Sequence, residues 1–359
     1  MKPSRWSFRL PFLACLMMAV PGMAAPITEA SPRQLDRWLQ QYPNADANGD
    51  GVLTVEEAES FRRTMEPQPS GEFLPPRFRH EFTFFTVSDG VKIALAVGFP
   101  KGFDAADATR KWPTIFTTSG YTNATVPRNP VDFADRYVTV SASIRGTGAS
   151  GGQLSPWHPR TWQDGHEVIE DWIVKQPWSN GRVGIVGHSW PGLMGFLTAT
   201  THPPSLRAVC VSGLIDDFYR GIGWPGGVRN CGFSFDWLNN YYDPGGPFRS
   251  GLSATAVRGL NEAEYQAIVA SRSPRDLRED ILWLVLHEPL DGPKWHARNL
   301  GAHAGSIRAP ILLGHTWQDE QTGPSGWQLW NRVPDDVPKR LALSNGHHAV
   351  SPFPPGDVQ

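Results

Sequence analysis

Cysteine is nearly missing from this chain, with three among 359 residues. Cys15 lies in an N-terminal apolar stretch, and Cys210 and Cys231 are too few to form a disulfide framework for a chain of this length. Cys210 falls in the apolar run LRAVCVSG and reads as a buried strand residue with a free, inert thiol. An excess of either charge is also missing. The 33 Lys and Arg residues against 35 Asp and Glu leave a formal net charge of −2. That gives no basic field to draw nucleic acid or an anionic membrane surface. No apolar run reaches the roughly 20 residues that a membrane-spanning helix needs. There is no internal repeat and no low-complexity tract. What remains is ordinary globular composition, 40% hydrophobic and 19% charged, with an unusual 15 tryptophans that suggest aromatic-lined walls.

The first residues, MKPSRWSFRLPFLACLMMAVPGMAAP, place Lys2, Arg5 and Arg9 before an apolar stretch from Leu10 to Val20. Small residues around Ala24 follow. This reads as a secretory signal over 1–24, so the expected location is periplasmic or secreted, with no stable membrane span after cleavage. Residues 25–66 then read as two helices around a polar turn. Ser31 and Pro32 suit the start of the first, with Leu35, Trp38, Leu39 and Tyr42 on one face. Thr54 and Glu57 form a capping-box pair for the second. Between them DANGDGVLTVEE sets Asp46, Asn48 and Asp50 at loop positions one, three and five. Gly51 is at six, the Val52 carbonyl at seven, Thr54 at nine and Glu57 at twelve. A hard divalent cation needs such converging oxygens from a tight turn, closed by a bidentate carboxylate. The loop resembles an EF-hand, which implies one structural Ca2+.

Residues 67–80 are Pro-rich and read as a linker, after which the pattern turns to strands. HEFTFFTVSDGVKIALAVGFP looks like a hairpin about Asp89-Gly90, a dipeptide suited to a two-residue turn. Further strands are expected at 112–120, 136–143, 181–187, 206–213, 307–315 and 339–345, and helices at 163–176 and from about Trp190. Strands alternating with helices over 81–359 indicate an α/β fold with a mainly parallel sheet. Residues 214–305 lose that alternation and read as an inserted helical cap, with helices at Glu262–Ala270 and about Asp280–His287.

Within GRVGIVGHSWPG an apolar strand ends in a serine held between small residues. In α/β-hydrolases the nucleophile sits on such a sharp turn between a strand and a helix. Gly187 and Gly192 give clearance, Pro191 fits a first helical turn, and Trp190 offers its backbone N–H to an oxyanion. The fold requires the order Ser, acid, His. Asp319 follows one later strand, and His347 and His348 follow the next, so either histidine is open as the base for Ser189.

These stretches also resemble the cocaine esterase / X-prolyl dipeptidyl peptidase family of serine hydrolases. The matching runs are SDGVKIALAVGFP, WPTIFTTSGY, SIRGTGASGG, DGHEVIEDWIVKQPWSNGRVGIVGHSW, DDFYR, HEPLDGPKWHARN and APILLGHTWQDEQTG. The resemblance implies an α/β-hydrolase with a helical cap, with Ser189 as nucleophile, Asp319 as triad acid and His348 as base. It also implies that the Tyr121 hydroxyl shares the oxyanion hole with the Trp190 N–H. Three departures stand out. Trp190 replaces a frequent tyrosine, Ser143 stands where an aspartate is expected before Arg145, and the sequence reaches Gln359 without the family's usual C-terminal jelly-roll.

The expected function is an exported serine hydrolase, esterase or acylase, that cleaves a small-molecule ester or amide through an acyl-enzyme, with no catalytic cofactor and no nucleic-acid partner. An X-Pro dipeptidyl peptidase acting on a short peptide is the alternative. It needs an acidic cluster for a substrate ammonium, for which Asp216, Asp217, Asp236, Glu288 and Asp291 are candidates. Two rivals of other classes are a calcium-binding scaffold with a decayed or truncated hydrolase domain, and a metallohydrolase using His315, Asp319, His347 and His348. Composition leaves oligomeric state open.

Overall fold

The computed structural model describes residues 35, 36, 39, 45–58, 60, 80–120, 136–155, 157–232, 263 and 281–348. The expected signal 1–24, nearly all of the linker, Tyr121, Asp236 and the cap helix Glu262–Ala270 (save residue 263) lie outside them. The chain divides into two compact units, Met1–Pro76 and Arg77–Gln359. No helix among the described residues is long and apolar enough to cross a membrane.

In the first unit, residues 35, 36 and 39 and residues 55–58 and 60 are helical, on either side of the turn 46–51. Ala45, Leu53 and Ala58 form a small buried cluster with Leu35, Leu39 and Val55 against it. Thr54 and Glu57 make the reciprocal capping box that their spacing predicts. The Thr54 N–H donates to Glu57 Oε2 at 3.1 Å, and the Glu57 N–H donates to Thr54 Oγ1 at 3.1 Å.

The second unit is built on an eight-stranded sheet: β1 (His80–Thr86), β2 (Lys92–Gly98), β3 (Trp112–Ser119), β4 (Val138–Ser143), β5 (Ser179–His188), β6 (Leu206–Ser212), β7 (Ile311–Thr316) and β8 (Lys339–Ser344). Their order across the sheet is β1-β2-β4-β3-β5-β6-β7-β8. The β1–β2 and β2–β4 pairings are antiparallel, and the remaining five are parallel. Every residue of β4 (VTVSAS) is buried, as expected for a central strand covered on both faces.

The β1–β2 connection differs from the expected two-residue turn. Ser88, Asp89 and Gly90 form it, with the Val87 N–H donating to Val91 O at 2.9 Å and Gly90 at φ 85°. Ending the turn in a left-handed glycine lets the strands keep their twist with one more residue. The turn is fastened to helix α1 (Pro159–Glu167), where Glu167 accepts the Ser88 N–H at 2.6 Å and its hydroxyl at 2.9 Å. Arg145, after β4, bridges the same pieces, reaching Asp89 at 2.9 Å and Asp164 at 2.6 Å. Helix α1 begins four residues before the expected start, capped by His158, and continues as a π turn, Val168–Trp172, and a 3-10 turn, Ile173–Lys175. The predicted apolar face holds, with Val168, Ile169 and Ile173 buried and Trp172 partly so.

Helix α2 (Trp190–Ala199) packs on β3, β5, β6 and α1. Between β6 and β7 the described part of the inserted region carries α3 (Ile281–His287), α4 (Pro293–His296) and α5 (Leu300–His303). The first of these is the helix expected at about Asp280–His287.

Candidate active site

Strand β5 delivers Ser189 to a turn that few residues can enter. Its backbone sits at φ 61°, ψ −131°, a conformation that costs an L-residue on the order of 1–3 kcal/mol. The neighbours enforce it. A Cβ on Gly187 would lie 2.4 Å from the backbone of Pro191, and one on Gly192 would lie 2.5 Å from Ser212 O. The Ser189 N–H donates to Ser212 O at 2.9 Å, and the Leu193 N–H donates to Ser189 O at 2.8 Å to open α2. Pro191 lies in that first turn, where its missing N–H leaves no helical bond unmade.

The other two groups arrive on loops after β7 and β8, and backbone hydrogen bonds stitch these loops together. The Trp317 N–H donates to Ser344 O at 3.0 Å, and the Gln318 N–H donates to Gly346 O at 3.1 Å. Asp319 then accepts His348 Nδ1–H at 2.9 Å through Oδ2, and His348 Nε2 lies 2.8 Å from Ser189 Oγ. With Nδ1 protonated, the neutral ring leaves Nε2 to accept the serine proton. Asp319 and His348 are both buried, whereas His347 is exposed. The two histidines left open by the sequence are therefore distinguished, and His348 alone of the two meets Asp319 and Ser189.

Asp319 also accepts the N–H groups of Gln321 at 3.0 Å and Thr322 at 2.8 Å, so it caps the following turn while it orients the histidine. Burial pushes its carboxyl upward, but the hydrogen bond and charge of His348, with the Thr322 bonds, prevail and hold it at about 2. Glu320 fixes the histidine from the other side, accepting the His348 N–H at 3.2 Å.

The Trp190 indole is packed away, 1% exposed, 5.7 Å from the Trp157 ring, which stacks 4.6 Å from Phe218. It also rests on Gly120, where a Cβ would come within 2.3 Å of it. At this point the tryptophans are core. The backbone N–H of Trp190 stands at the head of α2, directly after Ser189. Tyr121, the other expected oxyanion donor, follows the last described residue of this segment.

The four candidate ammonium-binding acids among the described residues are engaged within the chain, and Asp236 lies outside them. Asp217 and Asp291 both pair with Arg220 at 2.7 Å, and Asp291 also meets His296 at 2.8 Å. Glu288 pairs with Lys294 at 3.1 Å, and the buried Asp216 accepts the Ser325 hydroxyl. His315 is buried, 1% exposed, and is not part of the Ser189–His348–Asp319 line.

The sequence reading passed over His188 and Ser212. The His188 ring stacks 4.7 Å from that of His348, and its Nδ1 lies 2.9 Å from Ser212 Oγ. A histidine before the nucleophile is visible in the sequence, but its neighbour on β6 is supplied by the sheet register.

In the 46–57 loop, Asp46 accepts the N–H groups of Gly49 and Gly51, each at 2.8 Å, and Asp50 accepts that of Val52 at 2.8 Å. Glu57 reaches back to the Asn48 N–H at 3.3 Å, which brings position twelve against position three. The side-chain donors Asp46, Asn48, Asp50, Thr54 and Glu57 are all oxygen ligands, suited in kind to a hard cation. Among the described residues, no three His, Cys, Asp or Glu side chains stand close enough together to hold a metal ion.

Known proteins resemble this chain in sequence and fold. A Mycobacterium bovis protein named as a serine esterase is 30% identical over 184 residues, 45% of this chain and 29% of that one. Cocaine esterase of a Rhodococcus species is 24% identical over 73% of this chain and 47% of its own. Xaa-Pro dipeptidyl-peptidase of Streptococcus gordonii is 29% identical over 85% of this chain and 36% of its own. The chain thus spans less than half the length of each. Among solved structures, a CocE/NonD family hydrolase of Staphylococcus aureus matches with a TM-score of 0.57 at 19% identity. That match covers 76% of this chain and 47% of the other, and it supports an α/β-hydrolase fold. The family described as X-Pro dipeptidyl-peptidase (S15 family) matches residues 89–350, nearly the whole sheet and the segments that carry Ser189, Asp319 and His348, and the chain belongs to it.

Proposed function

We propose that this chain is an exported serine hydrolase that transfers the acyl group of an ester or amide first to Ser189 and then to water. The observation that carries the reading is the unbroken line from Ser189 Oγ to His348 Nε2 at 2.8 Å, and from His348 Nδ1 to Asp319 at 2.9 Å. In this reading Ser189 Oγ attacks the carbonyl carbon while His348 Nε2 takes its proton. Asp319 stays ionised and steadies the imidazolium that forms. The oxyanion is met by the Trp190 N–H and the Tyr121 hydroxyl. Collapse expels the alcohol or amine, protonated by His348. Water, deprotonated by the same nitrogen, then releases the acid and restores Ser189.

An ester or acylase substrate is favoured over an X-Pro peptide. Of the acids that would hold a peptide ammonium, the four that are described, Asp216, Asp217, Glu288 and Asp291, are already paired with Arg220 and Lys294 or bonded to Ser325. The dipeptidyl peptidase reading remains the second, supported by the family description and the Streptococcus gordonii relative.

A fluorophosphonate probe tests the chemistry. The wild type labels and Ser189→Ala does not; equal labelling of both, or none of either, removes the enzyme reading in favour of a binding scaffold. Short acyl esters set against X-Pro anilides then test the substrate, with higher kcat/KM expected for the esters.

The first 24 residues are proposed as a cleaved export signal, checked by N-terminal sequencing of secreted material. The 46–57 loop is proposed to take one Ca2+ through Asp46, Asn48, Asp50, Thr54, Glu57 and the Val52 carbonyl. The ion would supply positive charge to neutralise these acids and stiffen the loop. Terbium luminescence that is displaced by calcium and lost in Asp46→Ala is the expected result, and luminescence unchanged by that substitution overturns it.

A further inference from the structure

We propose that His188 is a positioning residue for the general base, tying the strand that leads into Ser189 to the segment that carries His348. The inference rests on the assignment of His348 as the base.

His188 is the last residue of β5, so its backbone is fixed by the same parallel pairing with β6 that sets Ser189. Its side chain is held at three points. Nδ1 lies 2.9 Å from Ser212 Oγ on β6. Its ring lies 4.7 Å from the His348 ring at a tilt of 41°. Gly213 closes the third side. It sits at φ 62°, and a Cβ there would fall 2.8 Å from His188 Cε1 and 3.0 Å from the Ser189 nitrogen. The imidazole therefore fills a slot with the catalytic histidine on one wall and β6 on another.

Its charge state suits that place. Burial and the charge of His348 push the His188 imidazole down to about 4, against a weaker pull from the His348 backbone and from Asp319. At neutral pH it is uncharged, so it does not oppose the imidazolium that His348 becomes during acyl transfer. A neutral ring of this shape can steady the base without competing for its proton. Misplacing a catalytic group by about 1 Å costs on the order of 100-fold in rate, the scale expected for losing such a brace.

The test compares kcat and KM of the full chain, on a short acyl ester, among wild type, His188→Ala, His188→Asn and Ser212→Ala. Fluorophosphonate titration counts competent sites in each. The expected result is a fall in kcat of roughly 10- to 100-fold for His188→Ala with KM changed by less than about 2-fold. His188→Asn, which keeps a hydrogen-bonding group toward Ser212, recovers most of kcat, and Ser212→Ala loses a smaller part. Retention of kcat in His188→Ala overturns the proposal, as does a loss divided equally between kcat and KM or the absence of recovery in His188→Asn. Should His188→Ala fail to fold, Ser212→Ala decides, because wild-type kcat there overturns the proposal and a reduced kcat at constant KM supports it. A wild type that neither hydrolyses the ester nor labels defeats the hydrolase reading itself, a different failure.

Discussion

At residues 187–192 the positive φ falls on a serine, 61° at Ser189, and the glycines beside it have no space for a side chain. At residues 46–57 it falls on glycines, 73° at Gly49 and 81° at Gly51, with nothing within 4 Å of where a Cβ would stand. Both stretches are short, polar and glycine-rich, so composition hardly separates them. The difference lies in which residue bears the unfavourable backbone. A glycine at positive φ costs little and records only that the chain turns there. A serine in that state persists because the surrounding strands and helix leave it no alternative, and such residues concentrate where chemistry needs them.

The largest effect that would break this contrast is on rate. Ser189→Ala is expected to lower ester hydrolysis by about 10⁶-fold, read in a spectrophotometric assay, and a turn serine of no catalytic use would lose almost nothing. Asp319→Asn follows at about 10⁴-fold, because the amide no longer fixes the imidazole tautomer. Next come the glycines. Gly187→Ala forces a methyl into the Pro191 backbone and is expected to cost about 3 kcal/mol by urea denaturation, with loss of probe labelling. A smaller effect comes from acid. The Asp319 carboxyl is held at about 2, below its ordinary 3.8, so its contribution is fully present above roughly pH 4 and fades as pH falls toward 2. That contribution is about 2 kcal/mol, and Asp319→Asn should flatten the fall of the urea midpoint over this window. The smallest is Gly51→Ala, about 1 kcal/mol from backbone conformation alone, read as a small drop in Tm of the first unit.

Much of the second unit was legible because its signals are local. Apolar runs bounded by glycine and polar residues gave the strands, and the order of Ser189, Asp319 and His348 matched a chain order that the fold demands. What escaped depended on distance or on small differences in turn geometry. The β1–β2 turn took three residues where Asp89-Gly90 suggested two. The side-chain partners of Ser88 and Asp89 lie on α1 and after β4, which local pattern cannot register. His347 and His348 are neighbours of one type, and only the loops' pairing with each other decides which turns inward. His188 was hidden for the same reason, since its partner Ser212 belongs to a different strand. The tryptophan count could not say which rings line a wall and which are core, and Trp190 and Trp157 serve as packing.

The two backbone hydrogen bonds from Trp317 to Ser344 and from Gln318 to Gly346 have a consequence for how this molecule can change over time. They make the segments bearing Asp319 and His348 one piece, anchored on β7 and β8. Change elsewhere in the chain reaches the spacing of the proton-handling pair only through the few residues that touch this piece, such as Asp216 through its bond to Ser325. Upkeep of the chemistry is thereby concentrated in a small set of contacts, and a lineage that keeps those can vary the rest.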